Sequence, residues 1–415
     1  MACTTAKVYK SEVTEVPSTS HISVLSPRNS KQVENIRFKQ MQKKRISHDA
    51  LYNLHELALD MPEFIHLIHT HPDLVCVLGQ KALLDQLDRV LVLDSISSQL
   101  LSYDTTFQLG DFYVSILSFR HTLFKEAPVI PAAFLLHERK FEAHHKELFA
   151  ICNKLVPSLS RTTSPIVTDE EKAIVNAISD IFPNIPQLRC WNHIFRDITR
   201  WLRTPGATST DISIYMDDIR ALFHLPTEGE YHNLLDNMKN KWSSPFFDYY
   251  QNNINPDIHG IARWAIEPYD PFSGITNNQS ESLNFVVKQL QQWHESPLDC
   301  MLLSLHHLQS YYFLEICRGQ HGLGDYHLHH QFQNLAPQPI PDQTVYSPED
   351  IVQQVKGKHR DAPETSSSEA QQPNMLNKQH HRGREHTASF KIKELVMIVV
   401  CTRLLFWGQQ TSHKQ

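Results

Sequence analysis

Gln99-Leu-Leu-Ser-Tyr-Asp-Thr-Thr-Phe107, Phe112-Tyr-Val-Ser-Ile-Leu-Ser-Phe119 and Val129-Ile-Pro-Ala-Ala-Phe-Leu-Leu-His137 are the stretches that decide the fold. All three are apolar, rich in β-branched or aromatic side chains and bounded by turn chemistry, which suits strands. Leu109-Gly110-Asp111 joins the first two as a tight hairpin. Beyond them the period lengthens. Lys140–Val156 reads as an amphipathic helix and Pro165-Ile-Val-Thr168 as a short strand. Asp169–Phe182 reads as a helix burying Ala173, Ile174, Ala177, Ile178 and Ile181. Gln187–Trp191 is a further short strand, entering a helix through His193–Leu202. Three strands followed by alternation predict an α/β fold with a mixed sheet flanked by helices.

Outward from this block, Ser47–Leu93 carries a helical stripe of Leu51, Leu54, Leu57 and Ala58, so residues 47–97 are expected to be a helical N-terminal segment. Within it, residues 81–93 fit either a helix or the run into a strand. Residues 1–46 read as a disordered, basic arm. Arg37–Arg45 places five positive charges in nine residues, either as a nuclear-import or DNA-contacting arm or as an exposed helix face. On the other side, residues 205–270 look like a mostly helical insertion, and Thr276–His294 resumes a helix capped by Thr276 or Asn277. From 331 to 415 the composition collapses into Gln, Pro, Ser and His, as in a disordered tail. The run Leu395–Trp407, broken by Arg403, is too short for a bilayer and reads as a partner-binding helix or, preferably, a gene-model artefact. No signal-peptide pattern opens the chain, and no membrane association is expected.

Composition removes several function classes. Only 12 of 415 residues are glycine, and neither GxxxxGK[ST] nor GxGxxG occurs, so no nucleotide cofactor is expected. The seven cysteines, at 3, 76, 152, 190, 300, 317 and 401, form no CxxC pair, which speaks for a reducing compartment and against a disulfide scaffold. The net charge of −6 is unevenly spread: +5 over residues 1–50, −13 over 51–330 and +2 over 331–415. An overall basic coat for nucleic acid is therefore absent, while local basic patches stay open. Of the 26 histidines, 19 fall within 51–330, and the clusters His66/His69/His71, His144/His145 and His327/His329/His330 repeat no known ligand spacing.

Asp104 lies in the first strand and Asp169 just beyond the short strand Ile166-Val-Thr168. If those strands are neighbours, two carboxylates stand side by side, and a divalent cation is the usual resolution of their repulsion. Glu281, one turn into the late helix, completes a set of three suited to two Mg²⁺ ions, although Asp169 reads equally well as a helix N-cap. Glu170 and Glu171 read as solvated neighbours on other helix faces. Cys190-Trp-Asn-His193 supplies either half of a zinc site or a buried pair locking a strand to a helix.

Four blocks in order then resemble the catalytic domain of Mutator-like (MULE) transposases, in the ribonuclease-H-like DDE transposase/integrase group. They are Asp104-Thr-Thr-Phe107 with Gly110 and Tyr113; Val167-Thr-Asp-Glu-Glu-Lys-Ala-Ile174 followed by Phe182-Pro183; Cys190-Trp-Asn-His193; and Thr276-Asn-Asn-Gln-Ser-Glu-Ser-Leu-Asn284. The resemblance spans about residues 98–330. It implies a ribonuclease-H-like sheet with a helical insertion before the last catalytic helix, and Asp104, Asp169 and Glu281 as a triad holding Mg²⁺ or Mn²⁺. It implies cleavage at transposon ends, strand transfer to target DNA, and a nuclear protein, with a homo-oligomer left open. The N-terminal zinc-dependent DNA-binding module and C-terminal zinc knuckle of such enzymes have no counterpart in the cysteine pattern. The alternative is therefore a fragmentary or domesticated derivative that binds DNA or protein without catalysis.

Overall fold

The computed structural model describes residues 29–43, 45–93, 101–106, 110–162, 164–267, 278–291, 295–335, 337, 339–340 and 346–360. Two compact units follow the chain, Met1–Val355 and Lys356–Gln415, and the first holds the sheet and the candidate site. The apolar run at 395–407, the Thr276/Asn277 cap and Leu109 of the hairpin turn lie outside the described residues.

The N-terminal part differs from its helical expectation. Ser30–Lys43 (α1) is a helix inside the arm read as disordered. Ala50–Asp60 (α2) buries Leu54 and Leu57 of the expected stripe but leaves Leu51 exposed, and it is capped by Asp49, whose carboxylate accepts from the Leu51 and Tyr52 N–H groups. Ile65–His69 (β1) and Val75–Leu78 (β2) then pair as an antiparallel hairpin where only helix was expected. β2 is a four-residue apolar run buried on both faces, a pattern that short strands and buried helices share. Lys81–Val92 (α3) settles the ambiguous segment as a helix.

The predicted strands follow as Leu101–Thr106 (β3), Tyr113–Arg120 (β4) and Val129–His137 (β5), then the helix Glu142–Leu155 (α4). Ile166–Thr168 (β6), Lys172–Ile181 (α5), Gln187–Arg189 (β7) and Trp191–Arg203 (α6) complete the alternation. The sheet has seven strands in the order β1-β2-β5-β4-β3-β6-β7. Pairing is antiparallel from β1 to β3 and parallel for β3·β6 and β6·β7, so the sheet is mixed and ribonuclease-H-like. β3 lies inside the sheet between β4 and β6 and every one of its residues is buried, which is why its polar members need internal partners.

The insertion is helical, as read: Ser209–Phe223 (α7), Glu228–Lys241 (α8), Ser244–Asn253 (α9) and the short Arg263–Ile266 (α10). It builds its own apolar core on α6, where Trp191, Ile194, Ile198 and Leu202 meet Phe223, Tyr231, Phe246 and Tyr250. Trp191 Nε1 donates to the Ile261 carbonyl at 2.9 Å, closing the insertion onto α6. A Cβ at Gly260 would sit 2.8 Å from the Gln187 carbonyl, so this return of the chain to β7 requires glycine. Asn278–Leu290 (α11) and Leu298–Gln320 (α12) come back to the sheet. Pro348–Arg360 (α13) is a helix within the tail read as disordered, and it buries Ile351, Val352 and Val355. Among the described residues no helix is long and apolar enough to cross a membrane.

One buried ion pair ties the N-terminal segment to the core. Arg45 Nε donates to Asp299 Oδ2 at 3.0 Å, with side chains only 10% and 3% exposed, and Asn53 Nδ2 reaches the same oxygen at 2.6 Å. Removing one partner leaves a charge in a dry site. We expect Arg45→Ala to destabilise the protein by about 3 kcal/mol in urea denaturation, and Asp299→Leu in that background to recover much of the loss. A loss below about 0.5 kcal/mol would show that the pair is immaterial.

Candidate functional site

The parallel pairing of β3 with β6 positions the site. Leu101 is opposite Ile166 and Ser102 opposite Val167, so two residues further along the register sets Asp104 beside Asp169. Neighbouring strands lie about 4.8 Å apart, which makes the two carboxylates electrostatic neighbours. Asp104 is 5% exposed. Its carboxyl is pushed up to about 7, first by burial and next by the charge of Asp169, with a smaller push from Glu281. Glu281 approaches from α11, which crosses the same face of the sheet.

The side chain that touches Asp104, however, is not Glu281. Asn284, three residues on and on the same helix face, donates from Nδ2 to Asp104 Oδ2 at 2.8 Å. The Thr105 N–H donates to Asp104 Oδ1 at 2.9 Å, so both oxygens are engaged by protein donors. Asn284 Oδ1 is buried without a partner. A turned amide would accept from the neutral acid through that oxygen, so Asn284 can serve either protonation state of Asp104. Asp169, half-buried, accepts the Glu171 N–H on Oδ1 at 3.2 Å, but the N-cap of α5 is Glu171, so Asp169 lies two residues before the cap position expected of it, and Glu281 is exposed. Among the described residues no three His, Cys, Asp or Glu side chains are grouped closely enough to hold a metal ion. As arranged, the three carboxylates share a field, since Asp104 feels the charges of both Asp169 and Glu281.

Cys190 and His193 sit beside them. Cys190 is fully buried at the start of α6, with its N–H on the Thr168 carbonyl at 3.0 Å. His193 is 7% exposed, and its Nδ1 is buried without a partner. Burial holds its imidazole below the ordinary value and Arg196 adds to that, while Asp169 and Glu281 pull it up. Cys190 packs into the insertion core.

Two features escaped the sequence reading. Arg189, the last residue of β7, is buried and ion-paired with Glu170 and with Asp257, the latter at 3.2 Å, and it donates to the Asn253 carbonyl. Glu170 is thus not merely solvated, and Glu171 holds Lys140 at 2.6 Å. An arginine directly before Cys190 in an apolar strand was the available signal. On the opposite face of β3, His137 Nδ1 meets the Arg139 carbonyl at 2.8 Å, so Nδ1 carries the proton and Nε2 accepts from Ser115 Oγ at 2.9 Å. Ser115 in turn accepts from Thr105 Oγ1 at 2.7 Å, and Tyr103 Oη and His145 Nδ1 share a hydrogen bond of 2.8 Å. Burial drives His137 down to about 4 and His145 down to about 3, so this layer is neutral and braces β3 from behind.

Residues 100–197 match the family model of the MULE transposase domain. The matched segment runs from β3 into α6 and takes in Asp104, Asp169, Cys190 and His193, a fraction of the 415-residue chain. Glu281, Asn284 and most of the insertion lie beyond this MULE-matched segment. No curated protein matches the sequence.

The raised Asp104 gives a signed prediction. A carboxyl whose folded value of about 7 exceeds its unfolded value contributes stability that is complete below ~pH 4 and lost as pH rises to ~7. Asp104→Asn removes that loss, so its melting temperature should exceed wild type at ~pH 8, with a gain that shrinks at ~pH 5 and disappears near ~pH 4. Thermal melts across that range decide it: a pH-independent difference would mean that Asp104 ionises normally.

Proposed function

We propose that this chain is a transposase-derived nuclear protein that keeps the MULE-type sheet and binds DNA without cutting it. The observation that carries this reading is the state of Asp104. Its two oxygens are taken by the Thr105 N–H and the Asn284 amide. Asp169 accepts one backbone N–H, from Glu171, and Glu281 faces solvent. Such a site is organised as a hydrogen-bonded joint between sheet and helix. What remains of the ancestral role is the scaffold, with its helical insertion and its exposed surfaces.

A second reading has one observation in its favour, the register that sets Asp104 beside Asp169 within the field of Glu281. On that reading the chain is a DDE-type transposase that cleaves transposon ends and transfers the strands to target DNA, with Mg²⁺ or Mn²⁺ neutralising the three carboxylates. It requires Asn284 to leave Asp104 and Glu281 to turn inward.

The two readings separate in solution. Under the binding reading, millimolar Mg²⁺ or Mn²⁺ leaves the melting temperature of the wild type unchanged, and no strand cleavage appears on DNA carrying candidate terminal repeats. Metal-dependent cleavage by the wild type that disappears in Asp104→Asn and Asp169→Asn would overturn the binding reading.

A further inference from the structure

A groove lined by four arginines lies between α6 and α7. Arg196, Arg200 and Arg203 fall at i, i+4 and i+7 on one face of α6, and Arg220 reaches in from α7. The groove encloses about 470 Å³, and Phe195 and Met216 line it between the arginines. Phe195 stacks on Phe223 at 5.8 Å and carries the Arg220 guanidinium 5.4 Å above its ring, so its faces are already used. The floor is therefore a rigid platform that holds cations, not an open stacking surface for bases.

Four arginines line this groove in a chain whose residues 51–330 are net −13. Two acids answer them: Asp197 pairs with Arg200 at 3.5 Å and Asp217 with Arg220 at 2.9 Å, both pairs well exposed. Exposed pairs of this kind are worth about 0–1 kcal/mol and exchange readily for a stronger anion. Arg196 and Arg203 are exposed and form no ion pair among the described residues. Favourable interaction with helix C-termini accounts for Arg200, Arg203 and Arg220 singly. It does not account for Arg196, or for the convergence of all four on one groove.

We propose that this groove is a docking surface for the phosphate backbone of duplex DNA. The inference deepens the DNA-binding reading above and rests on it. Guanidinium forks match phosphate geometry. The rise from Arg196 to Arg203 is about 10 Å, the axial extent of about three phosphates along one duplex strand. With the aromatic floor already covered, recognition is of charge and spacing and is indifferent to sequence.

The test is fluorescence anisotropy of a labelled random-sequence duplex with the full chain, titrated at several salt concentrations. Arg196→Gln/Arg203→Gln keeps helix propensity and leaves no acid unpaired. Its affinity should fall roughly tenfold, and the slope of log K against log salt should shrink by about 2. Arg196→Lys/Arg203→Lys should retain most of the affinity, since the charges remain, and its melting temperature checks that both variants fold. Polyglutamate should displace the duplex only weakly. Wild-type and Gln-variant curves that coincide would overturn the groove, as would polyglutamate binding that exceeds DNA binding. Neither result touches the absence of cleavage, and metal-dependent cleavage would sink the earlier reading without moving these curves.

Discussion

A carboxyl group in the middle of a fully buried central strand must be neutralised, hydrogen-bonded or matched by a cation, because an unpaired charge there costs several kcal/mol. Asp104 is in that position, and most of the local architecture answers to it. Its own successor supplies one backbone donor, Asn284 supplies the other donor from a helix 180 residues away in sequence, and proton retention supplies the rest. The neutral layer on the far side of β3 fits the same constraint. Ser115, His137 and Thr105 satisfy one another there and add no charge to a sheet that already holds one too many.

The parallel step from β3 to β6 extends the constraint outward. It brings Asp169 alongside Asp104, and the next parallel step brings Arg189 into register with Thr168. Arg189 draws Glu170 and Asp257 to itself, so one acidic neighbour of Asp169 is compensated by a buried cation and the insertion is fastened to the sheet in the same contact. The site is thus held by local charge pairing at its β7 end and by an amide at its α11 end.

Periodicity made the three long strands, the β-α-β-α continuation and the helical insertion legible. Pattern reading failed where two structures share one pattern. Val75–Leu78 is a short apolar run whose strand character is fixed only by its partners Ile65–His69 and Phe134–His137, which no local window contains. Pro348–Arg360 sits in polar surroundings, and its three buried residues are too few to stand out from them. At the site, Asp104 and Asp169 could be proposed as neighbours because strand adjacency follows from fold class. The choice between Glu281 and Asn284 as the group that reaches Asp104 could not be made from sequence. Both lie on one helix face, and the rotation of α11 against the sheet is a matter of packing.

The division of charge follows from these facts. An acidic sheet edge repels a phosphate backbone unless cations intervene, and there the cations are engaged internally: Arg189 with Glu170 and Asp257, Lys140 with Glu171. The arginines of α6 and α7 are held differently, on the outer wall of the insertion core, with side chains exposed and at most surface partners. The sheet-edge pairs are partly buried, with Arg189 7% and Lys140 28% exposed, whereas those of the groove are more exposed, so an anion would displace the groove pairs at the lower cost.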